Sequence, residues 1–248
     1  MLDRSKVLGI VMAHVSVRDT VLRHIPYWLK TCGHLLIVTP LEHKLHIKHP
    51  EIELFQSVNN VSSYSKETNM RVYECLKLAR DSYQNYPYVM LFEYDSLCWG
   101  PIPDRAIPLE GWISATKFMN EPVSPVPGKK FLANYYLHYP QIYTRESLEK
   151  ITDSMERLTP WDAEYGYTDR YIGMASERAG IPVFNLLEAG LSYSWENISC
   201  ARYPSRVQEC IAAIKGGAFA SHGIKDLETL KTISEKSPFG YLQNLNLV

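Results

Sequence analysis

Three features of the sequence predict an α/β domain with a mostly parallel central sheet flanked by helices. Apolar runs rich in Val, Ile and Leu recur at positions 7–15, 35–38 and 88–92, the texture of strands buried on both faces. Stretches with helical apolar spacing separate these runs, and a strand–helix–strand order implies right-handed crossovers and parallel pairing. The 248 residues, 46% hydrophobic and 21% charged, suffice for one substantial core, so residues 1–248 are read as a single Rossmann-like domain.

Taken in order, Val7 to Val15 forms the first strand. From Val17 to Leu29 the apolar residues line one helix face, and Gly33 supplies the stop. Leu35–Val38 is a second buried strand, ended by Thr39-Pro40, and Glu53–Gln56 a short third. An amphipathic helix spans Ser65 to Tyr83, ending before Pro87. Tyr88–Phe92 is a central strand that runs straight into Glu93-Tyr94-Asp95-Ser96. Beyond Gly100 prolines punctuate loop-rich connections, with strands expected at 111–115 and 135–143. Thr144 caps a helix beginning at Arg145. A further helix from about Thr168 to Ala179 is closed by Gly180, and Ile181–Leu186 reads as a short edge strand because of Pro182.

Composition narrows the function classes, though it neither demands nor excludes nucleic-acid binding. A net charge of −1 provides no global attraction to nucleic acid or anionic lipid. No apolar stretch approaches the ~20 residues that span a bilayer, and Met1–Lys6 leads into a strand and not a signal peptide. A cytoplasmic protein without a transmembrane segment is expected. The five cysteines lack a CxxC pair, which argues against a disulfide framework or a cysteine zinc site. His43, His46 and His49 share a three-residue spacing, but Pro50 follows at once and no cysteine is near, so an exposed, mildly basic segment is expected. Neither a phosphate loop nor a G-x-S-x-G elbow occurs. The 17 tyrosines suit sugar or base recognition as well as core filling.

Chemistry concentrates in a few places. Glu93 and Asp95 stand at the carboxyl end of a buried strand, where ligands bind in open α/β sheets. Their side chains share a face if the extended geometry persists, and paired carboxylates suit a hard divalent cation; an E-x-D triplet alone reads first as a solvated strand end. Asp169, at a helix start, is a candidate general base or simply an N-terminal cap. In Ser221-His222-Gly223-Ile224-Lys225, His222 offers an imidazole ligand and Lys225 a point charge for phosphate, although a lone histidine among glycines is also an ordinary structural residue.

Tyr88–Ser96 resembles the apolar strand and D-x-D motif of GT-A glycosyltransferases, with Glu93 in place of the first aspartate. Tyr167–Val183 resembles the E-D helix of inverting members, with Thr168 in place of the glutamate, and Ser221–Lys225 resembles a late H-x-x-K segment. The resemblance spans roughly positions 7–226 and implies a GT-A-like fold, with a nucleotide-sugar half at about 1–100 and an acceptor half with a C-terminal segment at about 101–248. It implies Mn2+ or Mg2+ held by Asp95 and His222, with Glu93 at the ribose or reaching metal through water, and Tyr94 beside the donor. His14, Ser16 and Arg18 would then hold the nucleotide base, Lys66 or Arg71 and Lys225 the diphosphate, and Asp169 would be the base of an inverting transfer. The donor would be a nucleotide sugar, foremost a UDP-sugar, and the acceptor a hydroxyl of a glycan, lipid, protein or modified nucleic-acid base. The segment Pro101–Pro127 and Tyr135–Tyr139 would shape the acceptor side. Asn60-Val61-Ser62 and Asn197-Ile198-Ser199 fit the N-glycosylation acceptor pattern, which matters only in a secreted chain. Two alternatives stay open: a nucleotidyltransferase, although Ala13–Arg18 lacks the glycines of its usual first loop, and a non-catalytic sugar- or partner-binding scaffold, suggested by Glu93 and Thr168 at motif-acid positions.

Overall fold

The structure is a computed structural model that describes residues 1–41, 45–57, 66–119, 135–158, 168–192 and 198–243. His43, the acceptor pattern at Asn60, the prolines 122, 125 and 127, Tyr167 and the side chains of Lys66, Tyr135 and Tyr136 lie outside the described residues and atoms.

Seven strands form one sheet: β1 (Val7–Met12), β2 (His34–Pro40), β3 (Ile52–Ser57), β4 (Tyr88–Glu93), β6 (Ile113–Met119), β7 (Tyr135–Thr144) and β8 (Val183–Asn185), in the order β3-β2-β1-β4-β7-β6-β8. All pairings are parallel except those of β7, which runs against both β4 and β6. The α/β class and the mostly parallel sheet expected from the sequence are what is found. β8 is the edge strand that Pro182 suggested.

Both faces of the sheet are buried. Along β1, Val7 and Val11 enter one apolar cluster while Leu8 and Ile10 enter the other, which is why the run is continuously apolar and not alternating. The first cluster is covered by α1 (Arg18–Thr31) together with α6 (Pro204–Lys215) and α7 (Leu227–Ser234). The second is covered by α2 (Lys66–Ser82), α3 (Arg145–Glu156) and α4 (Thr168–Arg178). A short α5 (Leu186–Ala189) follows β8. Thr144 caps α3 as expected, accepting from the Ser147 amide, and Gly180 closes α4 at φ +65°.

Gly33 follows α1 but does not adopt the left-handed conformation of a helix stop, since Cys32 is already extended at φ −117°. Its role is close approach: a Cβ there would lie 2.7 Å from Ser5 Cα and 2.8 Å from the Arg4 carbonyl oxygen.

A second sheet was not legible in the sequence. β5 (Ser96–Cys98), β10 (Ala220–His222) and β9 (Leu191–Ser192) align in that order, β5 and β10 antiparallel. It joins the end of β4 to the C-terminal part of the chain. After β1 the chain moves outward to β2 and β3, then returns to place β4 on the other side of β1. The carboxyl ends of β1 and β4 therefore flank a topological switch point, the place where an open α/β sheet leaves a crevice for ligand.

Candidate active site

At that switch point β4 stops at Glu93, and Tyr94 and Asp95 form a tight turn into β5. The extended geometry that would place both carboxylates on one face is thus broken, yet the two side chains still converge, because β10 brings a third group to them. His222 pairs with Ser96, Ser221 with Leu97 and Ala220 with Cys98. Gly223 then reverses the chain at φ +98°, a conformation open to glycine at no steric cost. The Asp95 carbonyl accepts from the amides of Gly223, at 3.1 Å, and Ile224, at 3.2 Å. This reversal presents both His222 and Lys225 to Asp95.

His222 Nε2 lies 2.9 Å from Glu93 Oε2 and 3.4 Å from Asp95 Oδ1, and Lys225 Nζ lies 3.3 Å from Asp95 Oδ2. Asp95 is only 2% exposed, and its Oδ1 has no hydrogen-bond partner among the described residues. Burial pushes the Asp95 carboxyl above the usual range. Burial also works against charge on Glu93, but the hydrogen bond and charge of His222 outweigh it and hold that carboxyl low. For His222 burial is again opposed, here by Asp95 and Glu93, and its pKa rises to about 9. Two carboxylates and an imidazole, with ligand atoms all within 4.8 Å of one another, suit a divalent cation such as Mn2+ or Mg2+, imidazole favouring the former; a cation would displace the Nε2 proton of His222, since only the neutral ring ligates. The specific sign of fit is Oδ1 of Asp95, buried and facing His222 at 3.4 Å with no hydrogen bond of its own, since a buried carboxylate oxygen without a hydrogen bond is costly and a bound cation would compensate it.

The turn is held from behind by α1. The Trp28 indole donates to the Ser96 carbonyl at 2.9 Å, and His24, fully buried, places Nδ1 2.9 Å from the Tyr94 carbonyl. Burial lowers the His24 pKa to about 4, so a neutral ring donates to that oxygen. Thr20 Oγ1 donates to the Lys225 carbonyl. Sequence reasoning passed over His24; the signal was a histidine on the same helix face as Val21, Ile25 and Trp28.

The other expected residues divide. His14 packs edge-on against Tyr94, ring centroids 5.1 Å apart, and its Nδ1 meets Ser16 Oγ at 2.8 Å. Lys225 Nζ lies over the Tyr94 ring, 5.4 Å from its centroid. His14, Ser16, Tyr94 and Lys225 therefore border the cluster, while Arg18 is exposed at the first position of α1. Arg71 is a correction. It is 4% exposed, and its guanidinium donates to the carbonyls of Ala13 and Val38. It ties the ends of β1 and β2 together beneath the crevice; a charge engaged with two main-chain oxygens and buried by the sheet is not offered to a phosphate.

Asp169, in the first turn of α4, reaches the same neighbourhood through His138 of β7. His138 Nε2 lies 3.0 Å from Asp169 Oδ2, and the His138 and His222 rings meet edge-on at 6.3 Å. Burial, reinforced by the charge of Glu93, raises the Asp169 pKa to about 7. Burial and the charge of His222 lower that of His138 to about 4. The sequence placed His138 only within an aromatic segment; a lone polar position between buried Leu137 and Tyr139 was its sole signal.

A comparison of the sequence with protein-family models finds no match, and a comparison with curated proteins finds no relative. The fold and site define an α/β protein with a cation-suited acidic cluster at its switch point and a third carboxylate, Asp169, whose pKa burial raises to about 7, beside it. No helix among the described residues is long and apolar enough to cross a membrane.

Proposed function

We propose that the chain is a metal-dependent glycosyltransferase of GT-A-like architecture, moving a sugar from a nucleotide sugar, foremost a UDP-sugar, to an acceptor hydroxyl with inversion. One observation carries this reading. Asp95, Asp169, His222 and Lys225, taken from three separate motifs, are linked by direct contacts and through His138 near the carboxyl ends of β1 and β4.

Glu93, Asp95 and His222 would hold Mn2+ or Mg2+, which supplies charge neutralisation for a diphosphate leaving group. Lys225 adds a point charge on the same side. The His14 and Tyr94 rings offer flat faces beside the cluster, suited to a nucleotide base or ribose. Asp169 takes the proton of the acceptor hydroxyl. The acceptor oxygen bonds the anomeric carbon from the face opposite the departing phosphate oxygen, which leaves with the bonding electron pair. A carboxyl with a pKa of about 7 matches this task at neutral pH. All five cysteines are thiols, in keeping with a cytoplasmic enzyme.

The test is hydrolysis of UDP-, GDP- and CMP-sugars with Mn2+. Release of the nucleoside diphosphate, or of CMP from CMP-sugars, by the wild type, abolished in Asp95→Ala, supports the reading. Exchange of labelled pyrophosphate into a nucleoside triphosphate would instead indicate nucleotidyl transfer, and no turnover of any donor would indicate a binding scaffold.

A further inference from the structure

We propose that His138 is a positioning residue for Asp169: it donates from Nε2 to one carboxylate oxygen, orienting the side chain so that the other oxygen takes the acceptor proton. The inference rests on the reading of Asp169 as the base.

Nε2 of His138 stands 3.0 Å from Oδ2 of Asp169, and both side chains are largely buried, at 15% and 21% exposure. The imidazole is itself fixed. Phe118 meets it edge-on at 5.3 Å and His222 at 6.3 Å. Its backbone sits inside β7, paired with Thr116 of β6, between buried Leu137 and Tyr139. A strand paired on both sides thus carries the donor, while the acceptor is a carboxylate in the first turn of a helix, which a backbone hydrogen bond also holds. Positioning of a reacting group from a supporting element is worth most when that element does not move.

Chemistry fixes the tautomer. An ionised carboxylate only accepts hydrogen bonds, so Nε2 carries the proton in the working state. His138 keeps that proton through the reaction; the acceptor's proton ends on Asp169 and the electron pair of the broken bond on the diphosphate. The contact also sets the base near the cation-suited cluster, since the same imidazole meets the His222 ring edge-on.

The test has two arms. With ring-labelled histidine at pH 8.5 and no ligand, nitrogen NMR should show His138, assigned by loss of its signal in His138→Gln, protonated at Nε2, with its ring shifts moving in Asp169→Ala. A ring protonated at Nδ1, or shifts untouched in Asp169→Ala, overturns the proposal. In the second arm, hydrolysis of a UDP-sugar with Mn2+ should fall about 10- to 100-fold in kcat for His138→Ala, with KM and UDP affinity within about twofold of wild type and partial recovery in His138→Gln. His138→Ala at wild-type kcat with Asp169→Asn inactive overturns this inference and leaves the base reading standing. Asp169→Asn at wild-type kcat overturns the base reading itself. A rise in KM together with a lower melting temperature and no recovery by Gln marks a merely structural contact and also overturns it.

Discussion

The imidazole of His222 lies 2.9 Å from the Glu93 carboxylate although 129 residues separate them. The antiparallel pairing of β10 with β5 brings them together, and the left-handed Gly223 sends the chain on so that Lys225 meets Asp95. The chemistry of the site depends on that short ladder.

The raised pKa of Asp169, about 7, sets a pH dependence. Only the ionised form accepts a proton, so donor turnover should rise with pH through about 7 and level off above it. The same group destabilises the fold when charged. Its contribution is fully present below the unfolded pKa of about 3.9 and is lost as pH rises through about 7. Asp169→Asn should therefore abolish turnover yet raise the melting temperature at pH 8 more than at pH 5. A flat rate profile between pH 5.5 and 8 contradicts this account.

Lys225→Met keeps the stem and removes the charge that sits beside Asp95 and over Tyr94. UDP affinity measured by calorimetry with Mn2+ present should drop about tenfold, consistent with loss of one charge-assisted contact. Unchanged affinity would remove Lys225 from the donor side.

Trp28→Phe deletes the donor to the Ser96 carbonyl in a fully buried position. Loss of the hydrogen bond and of ring volume should destabilise the protein by about 2–4 kcal/mol in urea unfolding. Because that carbonyl begins β5, Mn2+ affinity should weaken as well.

Gly33→Ala places a methyl group 2.7 Å from Ser5 Cα, a main-chain atom unable to turn aside. Destabilisation of about 1–3 kcal/mol is expected, with the urea midpoint as the measure. If Gly33 were only a left-handed stop at φ > 0, Gly33→Asn would be tolerated; the contacts predict that it is worse than alanine.

The main strands were legible because each is a run of residues buried on both faces, as Val7 to Met12 shows. Asp95, Asp169, His222 and Lys225 could be picked out by residue type and order along the chain. Their mutual geometry could not. β9 and β10 are two and three residues long, too short for any periodicity, and their pairing is a non-local choice made by packing. Arg71 misled because a basic residue on a helix with charged neighbours gives no sign that its guanidinium turns inward to Ala13 and Val38. His24 and His138 were hidden for the opposite reason. Each is a polar side chain at a core position, and only its partner, the Tyr94 carbonyl or Asp169, discloses a role.

Calorimetric titration of Mn2+ into the wild-type protein, Asp95→Asn and His222→Ala tests the cation site most directly. One Mn2+ bound per wild-type chain is expected, weakened about 10-fold or more in each variant, with melting temperatures showing both variants folded. Absence of binding to the wild type, or binding retained at full strength in Asp95→Asn, would contradict the account.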